Sequence, residues 1–164
     1  MQGPRGKPRG PFHFCAMKFS TFLPIDPLPC PRPRVAVIRG HGVAYYPAAY
    51  KKWTSEFVEL FKQKQYAKFT EPVRARIILE CRKARTSKLL IPSGDVDNYA
   101  KSVLDGLTTV GMWDDDKQVQ NLVITKRWAN PDPTRVGIHI YIDTSVELNN
   151  VESDICEVPE PARP

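Results

Sequence analysis

Hydrophobic residues recur at helical spacing in two stretches of this 164-residue chain, and strand-like runs lie before, between and after them. The first helical stretch opens near Pro47, a residue suited to a helix's first turn. It carries Tyr50, Trp53, Phe57, Leu60 and Phe61 on one face, with Lys51, Lys52, Glu56, Glu59 and Lys62 elsewhere. An aromatic stripe of this kind reads as core. The second stretch runs from about Val96 to Val110. At about 100° per residue, Ala100, Val103, Leu104 and Leu107 fall within about 100° of arc, a second core stripe. Gly111 follows where a C-terminal cap belongs. KFSTFLP, RVAVIRG, VRARIILEC, KQVQNLVITKRWA and TRVGIHIYID read as strands. RVAVIRG returns as VAYYP across Gly40-His41-Gly42, a hairpin, and Asn130-Pro131-Asp132-Pro133 turns the chain between the last two strands. The dense prolines of 24–33 predict an extended connection. The order predicts a single α/β domain, bordering on α+β, with one mixed sheet and two main helices.

That domain is expected over residues 17–143. Residues 1–16 are Gly-, Pro- and Arg-rich without periodicity and read as a disordered basic arm. Residues 144–164 read as an acidic, proline-containing tail. No apolar run approaches the roughly 18 residues of a membrane span. The basic N-terminus lacks an apolar signal-peptide core. The expectation is a cytoplasmic protein with no membrane partner. Cys15, Cys30, Cys81 and Cys156 form no CxxC pair and have no His at ligand spacing, which argues against structural zinc.

Charge narrows the partner. The chain carries +6. From residue 144 onward, Glu147, Glu152, Asp154, Glu157 and Glu160 stand against Arg163, a net of −4. The rest therefore carries +6 less −4, or +10. Such a body fits an anionic partner, nucleic acid first.

Asp97, Lys101 and Asp105 follow at four-residue spacing beside the second core stripe, and Asp95 just precedes the helix. Helix capping and a surface ion pair explain this stretch nearly as well as chemistry does. Asp114, Asp115 and Asp116 add a second cluster before the strand that begins at Lys117. Adjacent carboxylates repel, and strands disfavour Asp. If that strand begins beside the helix start, one of these aspartates reaches Asp95 and Asp97. Carboxylates that close are costly without a cation among them. Mg2+, or Mn2+, takes such oxygen ligands and phosphate oxygens. A metal so held would polarise a phosphodiester and activate water. Lys101 would neutralise charge developing on the phosphate. Paired carboxylates also serve glycosidases, but a basic surround does not suit a neutral sugar.

The stretch DVDNYAKSVLDGLTTVGMWDDDKQV resembles the core signature of the RusA family of Holliday-junction resolvases. PCPRPRV, the hairpin after it and Tyr46-Pro47 are similar to that family too, and the resemblance covers about residues 17–143. It implies catalytic, metal-binding aspartates at Asp95, Asp97 and Asp116, and a catalytic lysine at Lys101. Asp116 matches better than Asp115 because it directly precedes the strand. The resemblance further implies a prokaryotic or phage-encoded homodimer dependent on Mg2+ or Mn2+. Such a dimer binds four-way junction DNA and nicks two strands symmetrically in recombination and repair. Some members have a basic residue before the first catalytic aspartate. Here Gly94 stands there, and the charge lies upstream at Arg82, Lys83, Arg85 and Lys88.

Arg32, Arg34, Arg85 and Lys88 are candidate DNA contacts, with solvated surface charge as the plainer explanation. Lys51 and Lys52 stand similarly. Tyr45 and Tyr46 could stack on unpaired bases or pack within the hairpin. His41 and His139 read as turn and strand residues, not ligands. A non-catalytic nucleic-acid-binding protein, with aspartates that cap and solubilise, is the rival reading.

Overall fold

A computed structural model describes residues 17–129 and 133–144. The arm 1–16, the tail from 145 and the expected turn at 130–132 lie outside the described residues. The chain forms β1 (Lys18–Leu23), β2 (Arg34–Ile38), β3 (His41–Tyr45), α1 (Ala48–Lys62), β4 (Val73–Cys81), α2 (Val96–Thr109), β5 (Val119–Trp128) and β6 (Gly137–Asp143). Short 3-10 turns precede β5 and β6, at Asp116–Gln118 and Pro133–Arg135.

Four strands make one mixed sheet in the order β1-β6-β4-β5. β6 is antiparallel to both β1 and β4, while β5 runs parallel to β4. A parallel pair needs a crossover, and α2 supplies it. The hairpin expected within the sheet instead forms a separate two-stranded ribbon, β2-β3.

One sheet face is apolar. Ala75, Ile77, Leu79, Ile138, Ile140 and Ile142 alternate inward and are buried with the helix stripes. Tyr50, Trp53, Phe57 and Phe61 of α1 form a continuous ring series, with centroids 6.1, 5.4 and 6.0 Å apart. The helices approach closely because α2 has Gly106 at the crossing. A Cβ there would lie 2.6 Å from the Phe57 ring. Part of the other sheet face is exposed. Ser20, Tyr141, Arg76 and Val123 form one exposed row across all four strands.

The predicted helix end is present. Amides of Gly111 and Met112 close onto the carbonyls of Thr108 and Leu107, at 3.0 Å each. The Pro-rich segment after β1 lies along α2. The Ser102 hydroxyl donates to the Leu28 carbonyl at 2.7 Å, and the Cys30 amide donates to Asn98 at 2.9 Å.

Candidate active site

Topology decides which carboxylates meet. β4 and β5 are parallel, so the helix joining them runs back against both. α2 therefore starts at the C-terminal ends of β4 and β5 and finishes near the start of β5. Asp95 and Asp97 lie at its start. Asp116 lies in the turn that opens β5. A helix of 14 residues is about 21 Å long, so one chain does not bring Asp116 to Asp95 and Asp97. The expected convergence within one chain is thus corrected: the strand begins beside the helix end, not its start. Among the described residues, no group of three His, Cys, Asp or Glu side chains is placed to hold a metal.

Asp95 and Asp97 are the first two candidate carboxylates. Asp95 occupies the N-cap position of α2 with extended backbone, yet its side chain makes no capping hydrogen bond. Asp97, in the first turn, makes no ion pair among the described residues. Lys101 places its Nζ 3.2 Å from Asp105 Oδ2. That hydrogen bond, reinforced by the charge of Asp105, raises the Lys101 pKa above its ordinary value. Capping and ion pairing therefore do not account for Asp95 and Asp97. Both are exposed at the positive end of a helix.

The aspartate run after Trp113 separates into three roles. Asp114 pairs with Lys68. Asp115 caps the 3-10 turn, accepting from the Lys117 amide at 2.9 Å with the Lys117 ammonium 3.6 Å away. That amide, above all, holds the Asp115 carboxyl below the usual carboxylate range. Asp116 is exposed and forms no ion pair among the described residues.

One residue the sequence reading missed is Lys126. It lies on β5 two residues before Trp128, on the same strand face. Its ammonium donates to the Pro92 carbonyl at 3.0 Å and to the Gly94 carbonyl. It also sits 5.8 Å from the centroid of the Tyr99 ring. The Tyr99 hydroxyl in turn donates to the Ser93 carbonyl at 3.0 Å. Three successive carbonyls ahead of Asp95 are thus held. Gly94 has φ +87°, and a Cβ there would press on Pro29 and Tyr99 at 3.2 Å. A larger residue at this position, a basic one included, would therefore be strained. The available signal was a lysine amid apolar residues at an inward position of VITKRW.

The loop after β4 leaves the sheet at the same end, and Arg82, Lys83, Arg85 and Lys88 are all exposed on it. Arg82 leans on Asp26 at 3.7 Å. Arg32 and Arg34 are exposed near the start of the hairpin ribbon. Arg127 is committed to the buried Glu80 on the other sheet face. Tyr46 packs on Tyr50 at 5.2 Å, and His139 packs on Phe22 at 4.7 Å. His41 begins β3.

A family model described as Endodeoxyribonuclease RusA matches residues 24–141, well over half of the chain. The chain belongs to the RusA family. No curated protein matches it. The RusA match takes in Asp95, Asp97, Lys101, Asp116 and Lys126. The protein is accordingly an endodeoxyribonuclease, a hydrolase that acts on DNA, and the non-catalytic reading falls away. RusA membership also agrees with the single α/β domain seen here. Among the described residues, no helix is long and apolar enough to cross a membrane.

Proposed function

We propose that this protein resolves Holliday junctions in DNA recombination and repair. It acts as a homodimer that makes paired, symmetric cuts with Mg2+ or Mn2+. The observation that carries the reading is the pair Asp95 and Asp97, exposed at a helix start, where Asp95 makes no capping bond and neither makes an ion pair among the described residues.

The donors suit the metal. Two unengaged carboxylates at a helix start are hard oxygen ligands, and Mg2+ binds through one or two carboxylates plus phosphate and water. Asp95 and Asp97 would hold it, with Asp116 as the third carboxylate. When bound, the ion would polarise the scissile phosphate and lower the pKa of a water. Lys101, kept protonated by Asp105, would present an ammonium toward charge that builds on the phosphate. Arg85 and Lys88 would fix the DNA backbone beside the site, and Arg32 and Arg34 a more distant arm.

A second copy accounts for Asp116. In a twofold dimer the start of α2 in one protomer can face the start of β5 in its partner, so each site draws on both chains. The hairpin ribbon supports association. A two-stranded ribbon alone is marginal in water. This one exposes Val35, Val37, Val43 and Tyr45, with Val35 and Val37 at 70% and 77%. Such a surface suits a partner protein.

The test is cleavage of a synthetic four-way junction with Mg2+. Paired cuts by the wild type and none by Asp97→Asn are expected. No cutting by the wild type, or undiminished cutting by the variant, overturns the reading.

A further inference from the structure

Leu89, Leu90 and Ile91 are consecutive, apolar and exposed, at 53%, 94% and 63%. Three exposed apolar residues in a row carry a cost in water unless they have a use. They lie on the loop between β4 and α2, four to six residues before Asp95.

The loop is braced on both sides of its tip. The Trp128 indole donates to the Leu89 carbonyl at 3.1 Å. Lys126 holds the carbonyls of Pro92 and Gly94. The Leu89 amide donates to Ser87 Oγ at 3.4 Å, and the Ser87 amide closes on Ala84 at 2.9 Å. Leu90 is therefore held out between two anchors. Those anchors, Lys126 and Trp128, are two residues apart on one strand, about 7 Å.

The surround chooses the occupant. Arg85 and Lys88 precede the tip and are exposed, and Lys83 stacks its ammonium 5.8 Å over Trp128. Two copies of this loop would bring like charges together, which opposes a loop-to-loop contact. A polyanion is drawn in instead. Apolar side chains that follow exposed cations on the loop leading to Asp95 fit unstacked bases beside phosphates.

We infer that the Leu89–Ile91 tip is a wedge that enters the base stack of the DNA within a few nucleotides of the cut. The wedge rests on the junction-resolvase reading above. Leu and Ile can part a base step, a cost that backbone contacts offset. The tip gives the enzyme a means of selecting DNA whose stacking is already broken, as at a branch point.

The test uses the full-length protein and a four-way junction with 2-aminopurine beside the cut site, in buffer with chelator so that no strand is cut. The wild type is expected to raise the fluorescence several-fold. Leu90→Ser is expected to abolish that rise and weaken junction binding by about tenfold. Leu90→Phe keeps an apolar tip and should retain both. Cleavage by Leu90→Ser, assayed with Mg2+, should fall on the intact junction more than on one with an unpaired base at the cut. A Leu90→Ser variant with wild-type fluorescence and binding overturns the wedge. So does one whose main defect is a change of oligomeric state, since the tip is then a protein contact. A wild type that never cuts junctions sinks the underlying reading instead, and the fluorescence result still stands apart from it.

Discussion

Asp97 and Asp116 stand at opposite ends of the β4–α2–β5 crossover, separated by the length of α2. The candidate carboxylates are thus split, a pair at one end of α2 and a single one near the other. This relationship follows from parallel pairing and holds however the side chains turn.

Removing a member of the pair should abolish chemistry without harming the fold, because neither carboxylate holds anything in place. Asp97→Asn is expected to bind junction DNA normally and to cut none. Lys101→Ala is expected to cut about 10²–10³-fold more slowly with near-normal binding. Single-turnover cleavage with a gel-shift control measures both.

Lys126 acts through the turn before Asp95, so its loss should loosen the carboxylates. Lys126→Met keeps the apolar stem and removes the ammonium. Cleavage should fall by about 10–100-fold and require more Mg2+. Amide exchange over residues 92–98 should quicken while global melting changes little. Unchanged exchange and an unchanged Mg2+ requirement would contradict the role.

Gly106 sets the distance between α1 and α2. An alanine there forces its Cβ into the fully buried Phe57 ring. Overpacking costs about 1–3 kcal/mol, against about 1 kcal/mol of better helix propensity. Gly106→Ala should therefore lower the urea midpoint at unchanged slope. An unchanged or higher midpoint would show that Phe57 can yield.

Burial above all pushes the His139 pKa below its ordinary 6.5, with Arg127 and Arg135 adding to the effect and Glu80 opposing it. The folded state thus binds this proton less readily than the unfolded one. The stability it contributes is full above pH 6.5 and is lost as pH falls through the lower folded value. His139→Gln should flatten the acid side of a stability-against-pH curve, measured by urea unfolding.

Local elements were legible in the sequence because periodicity is a local signal. The stripe Tyr50, Trp53, Phe57 and Phe61 and the cap at Gly111 are where spacing put them. The convergence of Asp116 on Asp95 was not legible, since it turns on whether β5 lies parallel or antiparallel to β4. Strand pairing is a long-range choice that a single sequence leaves open. The hairpin's separation from the sheet was hidden for the same reason. Lys126 was passed over because a lysine in a strand ordinarily faces solvent. This one is bound by backbone carbonyls of a distant loop, which carry no residue-type signature.

The central claim, that each site joins Asp95 and Asp97 of one protomer to Asp116 of the other, is tested most directly by mixing. Asp97→Asn and Asp116→Asn proteins are each inactive on this account. Subunit exchange between them creates heterodimers in which one site has all its carboxylates and the other lacks two. The mixture is expected to regain junction nicking on one strand, without paired cuts. If the mixture stays as inactive as its parents after verified exchange, the carboxylates do not act across the dimer and the account is wrong.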